Sequence, residues 1–385
     1  MTATTNAKQK LCFVIPSLNG GGAERILINL ANHFSQLNYN SLIISLNKSC
    51  PAYNIDKEVM VFNLTDRKSD SMAFRLYYIF QMFFKLLFIV YKEKPAYVVS
   101  FITSANLWAG LAATIANVPY IVSERTSPAR SLFKLNYLNR ALAAIIYKHA
   151  AAIVVSTKGI GDSLKNNRAF SKVSNIKLIP NALSQFEPVS PKEIHPRKFV
   201  LGVGRLTYVK GFDQLISAFG AAKLRDTDLL IIGEGNERAA LIDQIKNLGL
   251  TEVVFMPGSR VNLQDYYSQA ELFILPSRNE GYPNALIEAM SFGCPPVAMN
   301  CDFGPSEIIQ NEHNGLLVET GNILALTNAI IRLSNDFELK KKISANAKRI
   351  NQTNRVQIIF KKWAQLFSVS TLYEAQLFPK LTKAT

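Results

Sequence analysis

Two glutamates, Glu280 and Glu288, lie in the segment SRNEGYPNALIEAMS, residues 277–291. Glu280 follows an apolar, strand-like run, and Gly281, Pro283 and Asn284 after it are typical of a helix start. We therefore expect Glu280 at the positive end of a helix and Glu288 one to two turns along it. A carboxylate accepts hydrogen bonds from two neighbouring hydroxyls, so the pair suits a ribose or another sugar. Taken alone, Glu288 would be an ordinary surface glutamate.

Cationic side chains follow another strand-like run, in residues 202–211. Arg205 comes directly after Gly204 and offers a planar fork to phosphate oxygens, whereas Lys210 offers a compact point charge. In open α/β sheets, ligands bind where strands end. The segment therefore predicts a phosphate site, and two solvated basic residues are the alternative.

Further glycine turns fit the same chemistry less specifically. Gly21 and Gly22 lie between the first apolar run, LCFVIP, and a predicted helix, and Gly233 and Gly235 end a later strand. Glycine lets a backbone approach a ligand closely, and a helix N-terminus attracts anions. We predict that Gly233 and Gly235 form one edge of a nucleotide pocket, although glycines in such turns often serve geometry only.

The elements that position these residues alternate along the chain. Apolar runs separated by helical stretches predict two doubly wound parallel sheets. We expect a first domain over residues 1–188, a proline-containing linker over 189–197, a second domain over 198–356, and a helical tail over 357–385 that packs on the first domain. Two such units facing each other would make a cleft at the carboxyl ends of their strands.

Positive charge is concentrated in the first half of the chain. The net charge is +15; residues 1–190 hold 21 Lys and Arg against 9 Asp and Glu, or +12, and the rest hold 22 against 19, or +3. This asymmetry indicates an anionic partner, such as phosphorylated ligands, an anionic membrane surface or nucleic acid, with solubility alone as the alternative. Nucleic acid is disfavoured because the basic residues lie beside phosphate loops and not in an aromatic–basic array.

Two helices of the first half are candidates for a membrane surface. Residues 76–91 are apolar except for Gln81 and Lys85, and are too few to span a bilayer, so the helix is either core or interfacial. A second helix is predicted from Ser127-Pro128 to His149. It would align Arg130, Lys134 and Lys148 for a lipid diphosphate or anionic headgroups, with a solvated face as the alternative.

Metal and disulfide chemistry are not expected. The four cysteines are scattered, and Asp226-x-Asp228 precedes a strand, where a structural role is the simpler reading. The N-terminus lacks a signal-peptide pattern. These features favour a cytoplasmic protein without a metal or cofactor.

Several segments together resemble the retaining glycosyltransferases of family four, which have the GT-B fold of two Rossmann-like domains. They are the first glycine loop, GRLTYVKGFDQLISAF (204–219), EGYPNALIEAMSFGCPPVA (280–298), and GPSEII and NGLLV within 304–318. The resemblance covers nearly the whole chain. It is nearest to bacterial enzymes that extend glycans on polyprenyl diphosphate carriers.

The resemblance implies a role for each matching residue. Arg205 and Lys210 would hold the donor diphosphate, Glu280 the transferred sugar, and Glu288 the ribose. Amides around Pro283, Asn284 and Ala285 would bind sugar and phosphate, and Gly21, Gly22, Gly204, Gly233 and Gly235 would line the donor site. Many relatives carry a histidine where this chain has Ser123-Glu124-Arg125, so Glu124 is predicted as a substitute contact to the donor sugar or acceptor.

The implied activity is metal-independent transfer of a hexose or N-acetylhexosamine from a nucleotide-sugar, with UDP as the expected nucleotide, to a lipid-linked glycan. The enzyme would be peripheral on the cytoplasmic face of the inner membrane. The alternatives are a nucleotide-sugar epimerase of the same fold and a non-catalytic membrane-associated scaffold. A nicotinamide dehydrogenase is disfavoured because no proper G-x-G-x-x-G is present.

Overall fold

The computed structural model describes residues 9–37, 39–66 and 72–367, which form two compact units. The first unit contains the described residues up to Asn181 and those from Gln357 onward, and the second contains Ala182–Val356. Residues 182–188 thus belong to the second unit, whereas the sequence placed them in the first. The reason is local packing: Leu183 lies in the core of the second unit, and Ser184 hydrogen-bonds to Glu288.

The first unit is a parallel sheet in which the strand order is β3-β2-β1-β4-β5-β6-β7. Its strands are β1 (Lys10–Ile15), β2 (Asn40–Asn47), β3 (Met60–Thr65), β4 (Tyr97–Phe101), β5 (Tyr120–Glu124), β6 (Ala152–Val155) and β7 (Ile176–Leu178). Its first five helices are α1 (Gly22–Gln36), α2 (Met72–Glu93), α3 (Thr103–Ile115), α4 (Tyr137–His149) and α5 (Lys158–Asn166).

The second unit is also a parallel sheet, in the order β10-β9-β8-β11-β12-β13. Its strands are β8 (Lys198–Val203), β9 (Thr227–Ile232), β10 (Val254–Gly258), β11 (Leu272–Leu275), β12 (Pro296–Met299) and β13 (Leu316–Val318). Its helices are α6 (Phe212–Ala222), α7 (Arg238–Asn247), α8 (Leu263–Gln269), α9 (Asn284–Phe292), α10 (Pro305–Ile308), α11 (Ile323–Asn335), α12 (Phe337–Ala347) and α13 (Ile350–Thr353).

Both sheets are covered by helices because their strands are apolar on both faces. In β8, for example, Val200 lies in a core with α6 and α11 residues, whereas its neighbours Phe199 and Leu201 lie in another core with α8 and α9 residues. The predicted fold class, two parallel α/β units, is confirmed.

Each sheet has one point where the strand order reverses, between β1 and β4 in the first unit and between β8 and β11 in the second. Helices on the two sides of such a point lie on opposite faces of the sheet, which leaves room between the loops at the carboxyl ends of the two strands. The loops after β8 and β11 are those that carry Arg205, Lys210 and Glu280.

A final helix, α14 (Val356–Leu366), packs on the first unit and buries aromatic as well as aliphatic side chains. Trp363 is fully buried and stacks on Phe101, and Phe360 contacts His33. Phe367, directly after the helix, packs against Phe34. The remainder of the predicted tail, 368–385, lies outside the described residues.

Helix α2 has one buried face and one exposed apolar face. Met82, Leu86 and Val90 are buried. Five aromatic side chains at 57% to 66% exposure form what we term the α2 aromatic stripe, and at 100° per residue they lie within about 80° of one another: Tyr77, Phe80, Phe84, Phe88 and Tyr91. No helix in the described ranges is both long enough and apolar enough to cross a bilayer.

The predicted helix over residues 128–149 is wrong in its first part. The chain forms a 3-10 turn at Leu132–Lys134, becomes extended at Leu135, and starts α4 only after Asn136. The Asn136 side chain accepts from the Asn139 amide at 2.9 Å, which caps the helix at this position. Arg130, Lys134 and Lys148 are all exposed, but they do not share a helical face.

Candidate active site

The segments after β8 and β11 are in direct contact. Gly211 has φ +67°, and a Cβ atom there would lie 2.1 Å from the carbonyl oxygen of Pro276, so only glycine fits. The Gln214 side chain donates to the same carbonyl at 3.1 Å. Lys210, directly before Gly211, is thereby brought next to Glu280, which follows Pro276.

Lys210 and Ser277 together fix the carboxylate of Glu280. The Lys210 ammonium donates to Oε1 at 2.6 Å, and the Ser277 hydroxyl donates to the same oxygen at 2.7 Å. Glu280 is only 8% exposed, and Oε2 receives no hydrogen bond from the described residues. The geometry therefore presents one oriented acceptor oxygen beside an ammonium group, as recognition of a hydroxyl next to a phosphate requires.

Arg205 adds a second cation at the end of β8. Its side chain is exposed and forms no ion pair with any described residue, whereas the backbone of the preceding Gly204 donates to Ile232 at 3.0 Å. A guanidinium on a fixed backbone, with its donors unoccupied, is well suited to an anionic ligand.

Gly233 and Gly235 have a packing reason to be glycine. A Cβ atom would lie 1.9 Å from the Gly204 carbonyl oxygen at the first position and 2.2 Å from that of Leu206 at the second. The Leu206 amide also donates to the Glu234 carbonyl at 2.9 Å. The loops after β8 and β9 therefore lie backbone to backbone, and a role of these glycines in nucleotide binding stays a prediction.

Helix α9 begins at the position predicted from the sequence. Pro283 is its N-cap residue, and Asn284 and Ala285 lie in its first turn, where the helix dipole favours an anion. A Cβ atom at Gly304 would lie 2.8 Å from the Pro283 ring, so the loop before α10 packs against this helix start. The predicted sugar- and phosphate-binding amides thus sit in a rigid frame.

Glu288 is not a surface glutamate. It is 2% exposed, its Oε1 accepts from the Ser184 hydroxyl at 2.8 Å, and its Oε2 accepts from the Tyr267 hydroxyl at 3.1 Å. Burial of a carboxylate is costly unless donors surround it, and here the Ser184 and Tyr267 hydroxyls occupy both oxygens. Contact of Glu288 with a ribose stays a prediction.

The glycine loop of the first unit lies at the carboxyl end of β1. Gly21 is the N-cap residue of α1, Gly22 is the first residue of that helix, and the preceding Gly20 has φ +93°. A 15-residue helix thus points its N-terminus at the strand-order reversal of the first sheet.

Glu124 lies in the core of the first unit. It is 0% exposed and accepts hydrogen bonds from Tyr147, from Asn106 at 3.0 Å and from Thr103 at 3.1 Å. Burial raises the pKa of Glu124 to about 7, against these hydrogen bonds and the charge of Arg125, which lower it. The predicted contact of Glu124 with a sugar does not fit this geometry, because the carboxyl group is enclosed by its own donors.

Arg125 is buried beside Glu124. Its guanidinium donates to Ser123 at 2.8 Å and to Asn181 at 2.7 Å, and lies 4.9 Å from the centre of the Phe101 ring and 5.7 Å from that of Trp363. Burial lowers the pKa of Arg125 to about 9. The Ser-Glu-Arg segment therefore organises the interior of the first unit.

Asp228 of the D-x-D pattern has a structural role. It is buried, and its carboxylate lies 2.7 Å from His195 and 2.8 Å from Arg197, which ties residues 195–197 to β9. Among the described residues, no group of three or more His, Cys, Asp or Glu side chains could hold a metal ion.

Three residues of the site were not found from the sequence. Ser277 stands in the quoted segment but carried no signal of its own, although a hydroxyl three residues before a glutamate can reach its carboxylate. Ser184 and Tyr267 lie 104 and 21 residues from Glu288 along the chain, and no local pattern connects them.

Comparison with known proteins gives consistent results over most of the chain. The curated relatives include an alpha-1,4-N-acetyl-D-galactosaminyltransferase of Campylobacter jejuni, named for the acceptor GalNAc-alpha-(1->4)-GalNAc-alpha-(1->3)-diNAcBac-PP-undecaprenol; it is 28% identical over 364 residues, 93% of this chain and 98% of the relative. The amylovoran biosynthesis glycosyltransferase AmsD of Erwinia amylovora is 27% identical over 367 residues, 93% of this chain and 99% of the relative.

A solved structure shares the fold. HepE of Anabaena in complex with UDP has a TM-score of 0.77 and 21% identity, and the match covers 94% of this chain and 100% of that one. Two family models match consecutive segments, Glycosyltransferase Family 4 over residues 20–184 and Glycosyl transferases group 1 over residues 185–350. The chain belongs to family 4 of the glycosyltransferases, as its motifs indicated.

Proposed function

We propose that the protein transfers a hexose or N-acetylhexosamine from a UDP-linked donor to a glycan carried on polyprenyl diphosphate, with retention at the sugar carbon. The observation that carries this proposal is the Lys210–Glu280 pair, which places a cation beside an oriented acceptor oxygen. UDP as the nucleotide is supported by the Anabaena structure, and the acceptor class by the PP-undecaprenol in the Campylobacter relative's name.

In this proposal Arg205 and Lys210 bind the donor diphosphate. Breaking the bond from sugar to phosphate builds negative charge on the leaving oxygen. Fixed cations at that oxygen stabilise the transition state by several kcal/mol. They supply the positive charge that a metal ion supplies in other transferases, so we infer that the reaction needs no metal.

Glu280 and Glu288 orient the rest of the donor. Oε2 of Glu280 would accept from a hydroxyl of the transferred sugar, while Lys210 and Ser277 hold Oε1. Glu288 would accept from the ribose, and Ser184 and Tyr267 would set its orientation. For retention we infer attack from the face that the diphosphate leaves, with a departing phosphate oxygen taking the proton of the acceptor.

The test is a panel of nucleotide-sugars incubated with a polyprenyl-diphosphate-linked acceptor. We expect transfer from a UDP-sugar to give an α-linked product, and Glu280→Gln to lose transfer while still binding UDP in calorimetry. Epimerisation of the donor without acceptor would indicate the epimerase instead. Absence of any turnover with intact UDP binding would indicate the scaffold.

A lipid-linked acceptor implies contact with a membrane. We infer peripheral binding to an anionic bilayer, on the cytoplasmic face of the inner membrane, through the α2 aromatic stripe. The chemistry of the helix supports this membrane contact. The stripe has three phenylalanines between two tyrosines, and Lys85 and Lys92 are exposed on its adjacent flank. Helix α2 has no acidic residue before Glu93, so its charge suits an anionic surface. Arg130, Lys134 and Lys148 stay candidates for a separate, salt-sensitive contribution. Vesicle binding, described in the Discussion, tests both.

A further inference from the structure

Arg278, two residues before Glu280, holds the turn that carries Lys210. Its Nη1 donates to the Tyr208 carbonyl at 2.7 Å, and its guanidinium carbon lies 4.0 Å from the centre of the Tyr208 ring. Its backbone amide donates to the Val209 carbonyl at 2.8 Å. A single residue after β11 thus contacts the two residues that precede Lys210.

Asp213 secures the other end of the same turn. Arg278 reaches its carboxylate with both terminal nitrogens, Nη1 to Oδ1 at 2.7 Å and Nη2 to Oδ2 at 2.5 Å. Burial raises the pKa of Asp213, but the hydrogen bonds and charge of Arg278 outweigh it and hold that pKa below its ordinary value. A bidentate pair of this kind fixes direction as well as distance.

Apolar burial contributes little to holding this turn. The 3-10 turn Tyr208–Lys210 has no buried residue. Tyr208 is 64% exposed and Val209 is 41% exposed. The turn therefore depends on two backbone hydrogen bonds of its own, from Lys210 to Thr207 at 2.9 Å and from Gly211 to Tyr208 at 3.2 Å, and on the tight contact at Gly211. Arg278 adds two hydrogen bonds and a ring contact from outside the turn.

We propose that Arg278 and Asp213 are positioning residues, which keep the ammonium group of Lys210 where it meets both Glu280 and the donor diphosphate. The inference rests on the proposed function, because it assigns Lys210 to the diphosphate. The alternative is that Arg278 and Asp213 form an ordinary surface ion pair. Arg332 and Glu312 are such a pair in the same unit: their side chains are half-exposed, and their charged atoms lie 2.5 Å apart.

A double-mutant cycle separates the two explanations. Arg278→Ala, Lys210→Ala and the double variant are compared for UDP and UMP binding by calorimetry and for transfer rate, with Arg332→Ala as the matched control. Displacing a catalytic group by about 1 Å costs up to about 100-fold, so we expect Arg278→Ala to lower UDP affinity and kcat roughly 10-fold or more. UMP, which lacks the second phosphate, should bind within about 2-fold of wild type, as should both nucleotides in the Arg332→Ala control.

The decisive comparison is the double variant. If Arg278 acts through Lys210, Arg278→Ala adds no further loss in the Lys210→Ala background, since interacting residues are not additive. An equal loss in both backgrounds, or a loss no larger than in the Arg332→Ala control, overturns the proposal. If Arg278→Ala does not fold, Asp213→Asn replaces it in the double-mutant cycle, because this substitution keeps the shape of the side chain. Wild-type protein that binds no UDP would refute the donor assignment itself, which is a different result from UDP binding without coupling.

Discussion

Replacing Phe80, Phe84 and Phe88 with serine is expected to release the protein from lipid vesicles. The three rings are 61%, 61% and 64% exposed, and with roughly 200 Å² of surface per side chain each leaves about 120 Å² in contact with water. At about 25 cal/mol per Å², complete transfer of one ring into the bilayer stabilises binding by about 3 kcal/mol. Half that depth for all three rings gives about 4.5 kcal/mol, or roughly a thousandfold in partition coefficient.

The assay is flotation with vesicles that contain phosphatidylglycerol, over a range of lipid concentrations. A matched control replaces three exposed apolar side chains of the second unit with serine: Val261, Leu324 and Phe337. The control should float like wild type, and the α2 variant should stay at the bottom. Equal flotation of wild type and the α2 variant, or no flotation of wild type, would refute the argument from exposed area.

Salt separates the electrostatic contribution from the apolar one. Changing Arg130, Lys134 and Lys148 to Glu should weaken binding at low ionic strength, by about 1 kcal/mol for each lost cation that lies near the surface. It should have little effect at high salt, where such charges are screened. Wild type should therefore be released only partly by salt and more fully by detergent. A triple variant that binds like wild type at low salt would show that these residues only face solvent.

Three further outcomes are expected. Arg205→Ala or Lys210→Ala should each reduce turnover by about 100-fold or more, because each removes a cation from the leaving group; near-normal steady-state rates would contradict this. Turnover should survive chelation by EDTA, and loss of activity that manganese restores would show that a metal is required. Burial raises the pKa of Glu124 from its ordinary value of 4.5 to about 7. The resulting contribution to folding stability is fully present below pH 4.5 and is lost as the pH rises through 7. In urea titrations between pH 4.5 and 7, wild type should therefore lose up to roughly 3 kcal/mol of unfolding free energy relative to Glu124→Gln. Burial lowers the pKa of His33 to about 4, which gives the opposite trend with pH, and the comparison cancels it because both proteins contain His33. Parallel curves of stability against pH would contradict the assignment.

The main strands could be predicted because both faces of a parallel sheet are buried, which makes each strand a continuous apolar run. Two strands at the edges of the first sheet, β3 and β7, lack such a run. In β3 the first four residues are exposed, and β7 has only three residues, with Lys177 in the middle. Neither produces a continuous apolar run, so the sequence pattern does not separate them from loops.

The error at residues 128–149 has a local cause. Ser127-Pro128 is a common helix start, yet the same residues also suit a turn, and the structure uses them for a turn. The signal for the true start was present in Asn136, a preferred N-cap residue directly before Tyr137. Two competing local signals were available, and the structure selects the later one.

The identities of the main residues of the candidate site could be predicted from the sequence, but their contacts could not. Motif spacing brought out Arg205, Lys210 and Glu280, because loops at a strand-order reversal meet in space. The sequence did not reveal that Lys210 and Ser277 bind the same oxygen of Glu280, or that Glu124 is enclosed by Tyr147. Both depend on side chains brought together by the tertiary fold.

The packing of α14 also constrains the order in which the chain folds during synthesis. Trp363 stacks on Phe101, and Phe367 packs on Phe34, so the first unit acquires these partners only when the last described residues have been made. At 5 to 20 residues per second, translation of residues 182–367 takes about 10 to 40 s. Over that interval, Phe34 and Phe101 lack these aromatic partners while the whole second unit emerges. The aromatic core of the first unit therefore closes only after the whole second unit has been made, although most of the first unit precedes it along the chain.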